Sequence, residues 1–430
     1  EIFLDEMLKS SGRYGRRYKF CKKGNCNLKN LITGEKVEWE FIFRVIAQNH
    51  IKNEMDFFMS VDFFDVLRDA YEEKFSSIAF TEFFWTVRSM LLPLFFLLKS
   101  PLPKADIYHS AATGYAGIVG AMAKYLYNKP LIITEHGIYS REREEEIIKS
   151  SWAKGGFKDM WIKFFYNICN GVYEYADKVL TLFEKNRQIA VDLGCHQEKI
   201  EIIPNGIDTR IFDNLFENNL EINKSKSDKN YINIATITRV VPIKDIKTMI
   251  HSFAIVKKAV NNARFFIIGP TDEDEDYFNE CKRLTTRLGL NDIEFTGKVN
   301  IIEYIKDIDI MVLSSISEGQ PFSILEGMAA KKPFVATDVG SCMELLYGRD
   351  DNFGKAGFIV PVMDVEKMAK SIITLANDEN LRKTMGECGY KRVKNFYTAE
   401  KCVENYRQIY ISYDNNTTKL KKQEFVKVSK

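Results

Sequence analysis

Several signatures that would settle the chemistry directly are missing from this chain. It has no G-x-x-x-x-G-K-[ST] phosphate loop and no G-x-G-x-x-G after a first strand. P-loop nucleotide hydrolysis and the common dinucleotide-dependent dehydrogenases therefore lose support. No C-x-x-C pair occurs. The 8 cysteines (Cys21, Cys26, Cys169, Cys195, Cys281, Cys342, Cys388 and Cys402) are scattered, which argues against a zinc site and fits free thiols in a reducing compartment. Neither sign of charge is in excess: 61 basic residues face 59 acidic ones, for a net charge of +2. Bulk electrostatics thus give no reason to expect nucleic acid as a partner. No run of 18 or more uncharged apolar residues exists, which removes the simplest transmembrane reading. The nearest candidate, MLLPLFFLL at 90–98, lies between Arg88 and Lys99. It reads as a buried helix, with an apolar face at a membrane surface as the alternative. No secretory leader pattern opens the chain. The expected location is cytoplasmic, with peripheral attachment at the inner membrane as an option.

What is present is an ordinary globular composition, 45% apolar and 28% charged over 430 residues, a length that suggests two domains. Residues 1–100 are aromatic-rich and irregular in pattern. KKGNC at 22–26 and LITGEK at 31–36 read as turns, and 57–67 and 80–98 as buried helices. From Ala105 onward, short apolar strands alternate with helices: strands near 107–109, 131–134, 178–181 and 200–203, then a polar stretch at 213–230. A second alternation has strands near 232–238, 264–268, 293–295, 310–313, 333–337 and 357–360. Such alternation predicts parallel sheets with helices on both faces, and two runs predict two doubly wound α/β domains. Ligands in that architecture bind at the carboxyl ends of strands. Glu135-His136-Gly137, residues 204–208, Arg239 to Lys244, Gly269 and residues 317–326 all fall at such ends, where a cleft between the sheets would gather them.

The densest motif is SEGQPFSILEGMA at 317–329. It places Glu318 in a loop after a strand and Glu326 in the first turn of the helix expected to follow. The backbone of Gly319, Gln320, Pro321 and Phe322 lies between, with N–H groups on all but Pro321, at a helix start that favours anions and hydroxyl oxygens. Glu326 suits the vicinal hydroxyls of a ribose; the plain alternative is helix-dipole compensation. Glu318 suits sugar hydroxyls or a developing positive charge at an anomeric carbon; the plain alternative is a solvated loop acid. Arg239 and Lys244, in RVVPIK, offer a planar fork and a point charge for a diphosphate, against a reading as solvated surface charge. His136 could move a proton or donate to a hydroxyl, although a lone histidine is commonly structural. The run 141–146, RERE followed by two further glutamates, reads first as a solvated helix face. Val299 follows Phe295-Thr296-Gly297, where backbone groups could pair with a nucleobase edge.

Together, the Glu318/Glu326 spacing, the Arg239/Lys244 pair, PNGID at 204–208 and Phe295-Thr296-Gly297 resemble the retaining glycosyltransferases of family GT4, over about residues 105–410. ADIYHSAATGYAG at 105–117, ITEHGIYSRERE at 133–144 and FFW at 83–85 resemble the PelF group, linked to Pel-type exopolysaccharide synthesis. The resemblance implies a GT-B fold, two Rossmann-like domains facing a cleft. Residues 1–212 would be the acceptor-side domain, with helix 396–412 packing back on it. Residues 213–230 would be a linker, 231–395 the nucleotide-sugar domain and 413–430 a polar tail. It implies a UDP-sugar donor, UDP-glucose first, a saccharide acceptor and a membrane polysaccharide-export complex as partner.

By the same resemblance, Arg239 and Lys244 neutralise the leaving diphosphate and Glu326 binds the ribose. Glu318, Gly319, Gln320, Pro321 and Phe322 hold the transferred sugar, Val299 borders the base, and His136 contacts sugar or acceptor. No metal or other cofactor is required, since Arg and Lys supply the charge. The family pattern also implies an opening strand and Gly-rich loop, not found before Glu1. A nucleotide-sugar 2-epimerase of the same fold and a non-catalytic donor-binding scaffold are the competing readings.

Overall fold

The computed structural model describes residues 17–47, 54–153, 155–217, 231–349 and 351–414. The chain divides into two compact units, Glu1–Thr181 with Asn186–Ile202, and Leu182–Lys185 with Ile203–Lys430.

Among the described residues of the first unit, five helices precede the first strand where the pattern was irregular and two helices were expected: α1 (Lys22–Thr33), α2 (Trp39–Ile46), α3 (Glu54–Phe58), α4 (Val61–Ala70) and α5 (Phe80–Lys99). The expected turn at 22–26 is the start of α1, capped by the Cys21 Sγ, which accepts from the Gly24 N–H. Only the second half of 31–36 turns. There Gly34 adopts φ 76° and returns its N–H to Asn30 O, the left-handed stop that glycine permits. The single helix expected at 57–67 is two, because the Ser60 hydroxyl accepts from Phe63 N and starts a new one. Helix α5 buries Phe83, Val87, Met90, Leu91, Leu94, Phe95 and Leu98. Trp85 and Phe96 remain exposed on it. Among the described residues it is the one helix long and apolar enough to cross a membrane, and 39% of its apolar window is buried inside the protein.

Strands β1 (Tyr108–Ser110), β2 (Leu131–Glu135), β3 (Lys178–Thr181) and β4 (Ile200–Ile202) form a parallel sheet in that order. Every residue of β2 is buried, as a parallel strand covered on both faces requires. Helices α6 (Gly114–Tyr127), α7 (Tyr139–Lys149), α8 (Gly156–Tyr175) and α9 (Glu184–Asp192) connect or follow the strands. Trp39 of α2 is buried against α8, where its Nε1 donates to Asn167 O at 3.0 Å. Gly171 makes room for that indole; a Cβ there would stand 2.2 Å from Nε1.

In the second unit, α10 (Arg210–Glu217) takes up residues 213–217 of the stretch expected as linker, and 218–230 lie outside the described residues. Strands β5 (Ile232–Ile237), β6 (Ala263–Ile268), β7 (Ile293–Gly297), β8 (Ile310–Leu313), β9 (Phe334–Thr337) and β10 (Gly357–Val360) form one parallel sheet, ordered β10-β9-β8-β5-β6-β7. Counting from β5, that is the 3-2-1-4-5-6 order of a doubly wound nucleotide-binding sheet, whose switch point lies between β5 and β8. The covering helices are α11 (Ile246–Ala259), α12 (Glu275–Arg287), α13 (Ile301–Ile305), α14 (Phe322–Ala329), α15 (Cys342–Tyr347), α16 (Val365–Asn377), α17 (Glu379–Phe396) and α18 (Ala399–Tyr413). The chain ahead of α18 pairs with the 204–208 loop through an Ile207–Thr398 bridge, and α18 is grouped with the second unit.

Candidate active site

At the switch point, β5 and β8 pair only through Ile234–Ile310 and Ala235–Met311. Beyond that register, side chains take over. The Ser314 hydroxyl donates to the carbonyls of Lys244 and Asp245, each at 2.8 Å, and Ile316 N donates to Ile243 O at 2.9 Å. These bonds tie the loop after β8 to the loop after β5. Pro242–Lys244 forms a 3₁₀ turn, and Asp245, at φ 47°, caps α11 by accepting from Thr248 N. Lys244 is thereby aimed at Glu318: its Nζ lies 2.5 Å from Oε1, with the two side chains 16% and 11% exposed. The same carboxylate oxygen accepts from the Ser315 hydroxyl.

The loop that carries Glu318 is braced from behind. Ser341 N donates to Gly319 O at 3.0 Å, and Thr337 Oγ1 donates to Ser315 O at 2.7 Å. Gly340, at φ 52°, sits where a Cβ would be 2.2 Å from Gly319 O and 2.4 Å from Glu318 O. Gln320 is buried and accepts from Asn205 N at 2.7 Å, which anchors the loop to PNGID. Pro321 precedes α14 without a side-chain cap, and the Ile324 N–H of its first turn donates to Pro321 O at 3.2 Å. Phe322 is 49% exposed at its start.

The helix starts at Phe322, two residues earlier than the sequence pattern suggests, so Glu326 stands in its second turn and not its first. This weakens the helix-dipole reading, since that effect fades beyond the first turn. Glu326 is partly buried, and burial raises its carboxyl above the ordinary range. Arg239 is 54% exposed, and its guanidinium pairs with Glu273 at 2.7 Å; it does not share Lys244's carboxylate. Val299 is partly buried, packed on the apolar cluster that includes Met311, Leu325 and Ala336. Among the described residues no group of three or more His, Cys, Asp and Glu side chains is gathered as a metal site would need.

His136 belongs to the first unit. It follows β2 directly and its side chain is exposed. On the neighbouring strand, a hydrogen bond of 2.8 Å joins His109 Nε2 to Thr134 Oγ1, and burial, then the neighbouring His136, lowers the His109 pKa. The acidic run beyond it is held partly by packing: Glu144 accepts from Tyr166 OH at 2.6 Å, and Arg143 pairs with Glu146. The sequence reading missed Ser314, Ser315, Glu273 and Gly340. The two serines carried a signal, a polar pair set directly after an apolar strand; Glu273 and Gly340 carried none.

Comparison with known proteins bears on both units. Residues 217–392 match the family model for glycosyl transferases group 1, and residues 5–198 match a domain of unknown function, DUF3492. Residues 217–392 thus resemble the group 1 glycosyltransferases. The capsular polysaccharide biosynthesis glycosyltransferase CapM of Staphylococcus aureus is 26% identical over 336 residues, 75% of this chain and 83% of its own length. Among solved structures, Anabaena HepE in complex with UDP aligns with a TM-score of 0.58 at 19% identity, covering 76% of this chain and 82% of that one. Sucrose-phosphate synthase from Thermosynechococcus elongatus aligns with a TM-score of 0.55 at 18% identity, covering 71% and 73%. The fold of this chain is accordingly GT-B-like, with two parallel-sheet α/β domains.

Proposed function

We propose that this glycosyltransferase moves a hexose from a UDP-sugar, UDP-glucose first, to a growing exopolysaccharide with retention at the anomeric carbon, as a member of the PelF group. The observation that carries the reading is the Lys244–Glu318 pair at the carboxyl ends of β5 and β8, beside the uncapped start of α14. A diphosphate there meets a half-neutralised lysine, the Arg239 fork and the amino end of a helix. Glu326 takes the ribose hydroxyls, Val299 borders the base, and Glu318 with the Gly319–Phe322 backbone holds the sugar. The bond from the anomeric carbon to the diphosphate oxygen breaks while the acceptor oxygen bonds to that carbon on the same face. The acceptor's proton passes to the leaving phosphate. Lys244 and Arg239 stabilise the charge that develops on it, so no metal is called for. His136 contacts sugar or acceptor. HepE, solved with UDP, supports a uridine nucleotide, and CapM, a capsular polysaccharide biosynthesis glycosyltransferase, supports a role in polysaccharide synthesis. The protein would act in the cytoplasm beside a membrane export complex.

Incubation with UDP-glucose and an oligosaccharide acceptor tests this reading. Release of UDP with elongation of the acceptor is expected. Formation of a 2-epimer with no elongation would replace it with the epimerase reading, and tight UDP binding without turnover would leave a donor-binding scaffold. Thermal shift across UDP-, ADP- and GDP-sugars identifies the nucleotide, because a bound donor raises apparent stability.

A further inference from the structure

We propose that Glu135 is a positioning residue for His136, acting through hydrogen bonds that lock the end of β2 to three surrounding helices. The proposal rests on the reading that His136 takes part in transfer. Glu135 is the last residue of β2 and its side chain is 1% exposed. Oε1 accepts from Thr113 Oγ1 at 2.9 Å, just ahead of α6, and Oε2 accepts from Tyr173 OH at 2.7 Å, on α8. The backbone N–H of Tyr139, the first residue of α7, donates to the same carboxylate. Behind Thr113, Cys169 Sγ donates to its hydroxyl at 3.5 Å. Every group that hydrogen-bonds the carboxylate is thus a donor, and no cation is among them. His136 and Gly137 leave β2 from this hub, and Gly137 is covered by the Glu142 carboxylate, whose Oε1 would lie 2.0 Å from a Cβ placed there.

A purely structural hub would be cheaper without a buried charge. Burial pushes the Glu135 carboxyl up to about 7, helped by the Glu142 charge, while Tyr173, Thr113 and Tyr139 N–H hold it down. The other titratable groups that face it are Tyr173 and Cys169 on α8 and Cys195; burial raises each of them, Cys169 and Cys195 to about 12. Of this set, Glu135 alone changes charge near neutrality. Above its pKa the carboxylate accepts from all three donors. Below it, the added proton needs an acceptor of its own, so one hydroxyl must turn away and the strand end loosens. Turnover therefore rises as pH rises through neutrality.

The test compares the wild-type chain with Glu135→Gln and Glu135→Asp. In Glu135→Gln, donor turnover is expected to fall about ten- to a hundredfold, the scale of a small misplacement of a reacting group. UDP affinity stays within about twofold, because Glu135 hydrogen-bonds none of the groups read as holding the diphosphate. The acid limb of the wild-type pH profile near neutrality disappears, and Glu135→Asp partly restores rate and limb. The His136 ring-proton resonance, identified by its loss in His136→Asn, is expected to move and broaden in Glu135→Gln above neutrality. Wild-type turnover and an unmoved His136 resonance in Glu135→Gln would overturn the positioning role. A moved resonance in a chain that never turns over UDP-sugars would sustain the positioning of His136 and overturn the transfer reading alone.

Discussion

Replacing Glu318 with glutamine is expected to tighten UDP binding while slowing sugar transfer. The Lys244 ammonium is already compensated: its Nζ lies 2.5 Å from the Glu318 carboxylate, and both side chains are largely withdrawn from water. An arriving diphosphate must share that cation with a fixed anion. Two unit charges about 4 Å apart interact by about 4 kcal/mol at an effective dielectric of about 20. Part of this is returned, because a freed ammonium regains hydration before the ligand arrives. A net gain of about 1–2 kcal/mol for the diphosphate is reasonable, which is roughly five- to thirtyfold in affinity. Glutamine keeps the side chain's length and can still accept from the Ser315 hydroxyl, so the loop has no reason to move. Isothermal titration with UDP at low and high salt measures the effect, and the gain should shrink as salt screens the diphosphate. Turnover with the sugar donor should fall in the same variant, since the carboxylate facing the sugar is gone. UDP binding to Glu318→Gln that is equal to wild type or weaker would refute the argument and place the diphosphate away from Lys244.

Four further outcomes are expected. Glu326→Ala should weaken UDP by about 1.5–3 kcal/mol, the range for a hydrogen bond to a charged group. Because burial raises the Glu326 carboxyl and hydroxyls need the ionised form, wild-type affinity should fall as pH drops through that raised range, and titrations of the variant should lack this dependence. The double change Arg239→Ala/Lys244→Ala should abolish measurable donor binding in the same assay; retained affinity would remove both from the diphosphate site. Gly340→Ala should cut turnover sharply in steady-state assays, since its Cβ would press on the carbonyls of Glu318 and Gly319 at a φ that alanine disfavours. Arg392→Met should lower the stability of the second unit by about 3–5 kcal/mol in denaturant melts, because it strands the buried Asp351 carboxylate that Arg392 binds at 2.7 and 2.8 Å, along with three carbonyls.

The parts of this chain most legible in its sequence are those governed by local period. Strands such as 131–135 and 310–313 are short apolar runs bounded by turn residues, because a parallel strand is buried on both faces. The first hundred residues, the buried helix read at 80–98 aside, were opaque for the opposite reason. Their aromatics pack against several partners at once, as Phe57 does against Phe20, Phe58, Phe63 and Phe95, and such clusters do not repeat along a helix. Helix starts were also blurred. Nothing in Pro321-Phe322 marked the start of α14 as two residues earlier, because the loop is set by Gly340 and Ser341 from another part of the chain.

Residue type and order alone specified two alternations of strand and helix, and with them acids and cations stationed at strand ends. Chemical type travels with the residue, and a strand end is a local event. Pairing was left to the tertiary structure. It turned Arg239 to Glu273 and Lys244 to Glu318, and it buried Glu135 among three donors from three helices. Those choices depend on which strands lie side by side at the switch point and on how much water reaches each carboxylate. Both are properties of the packed sheet, and neither is written at any single position of the chain.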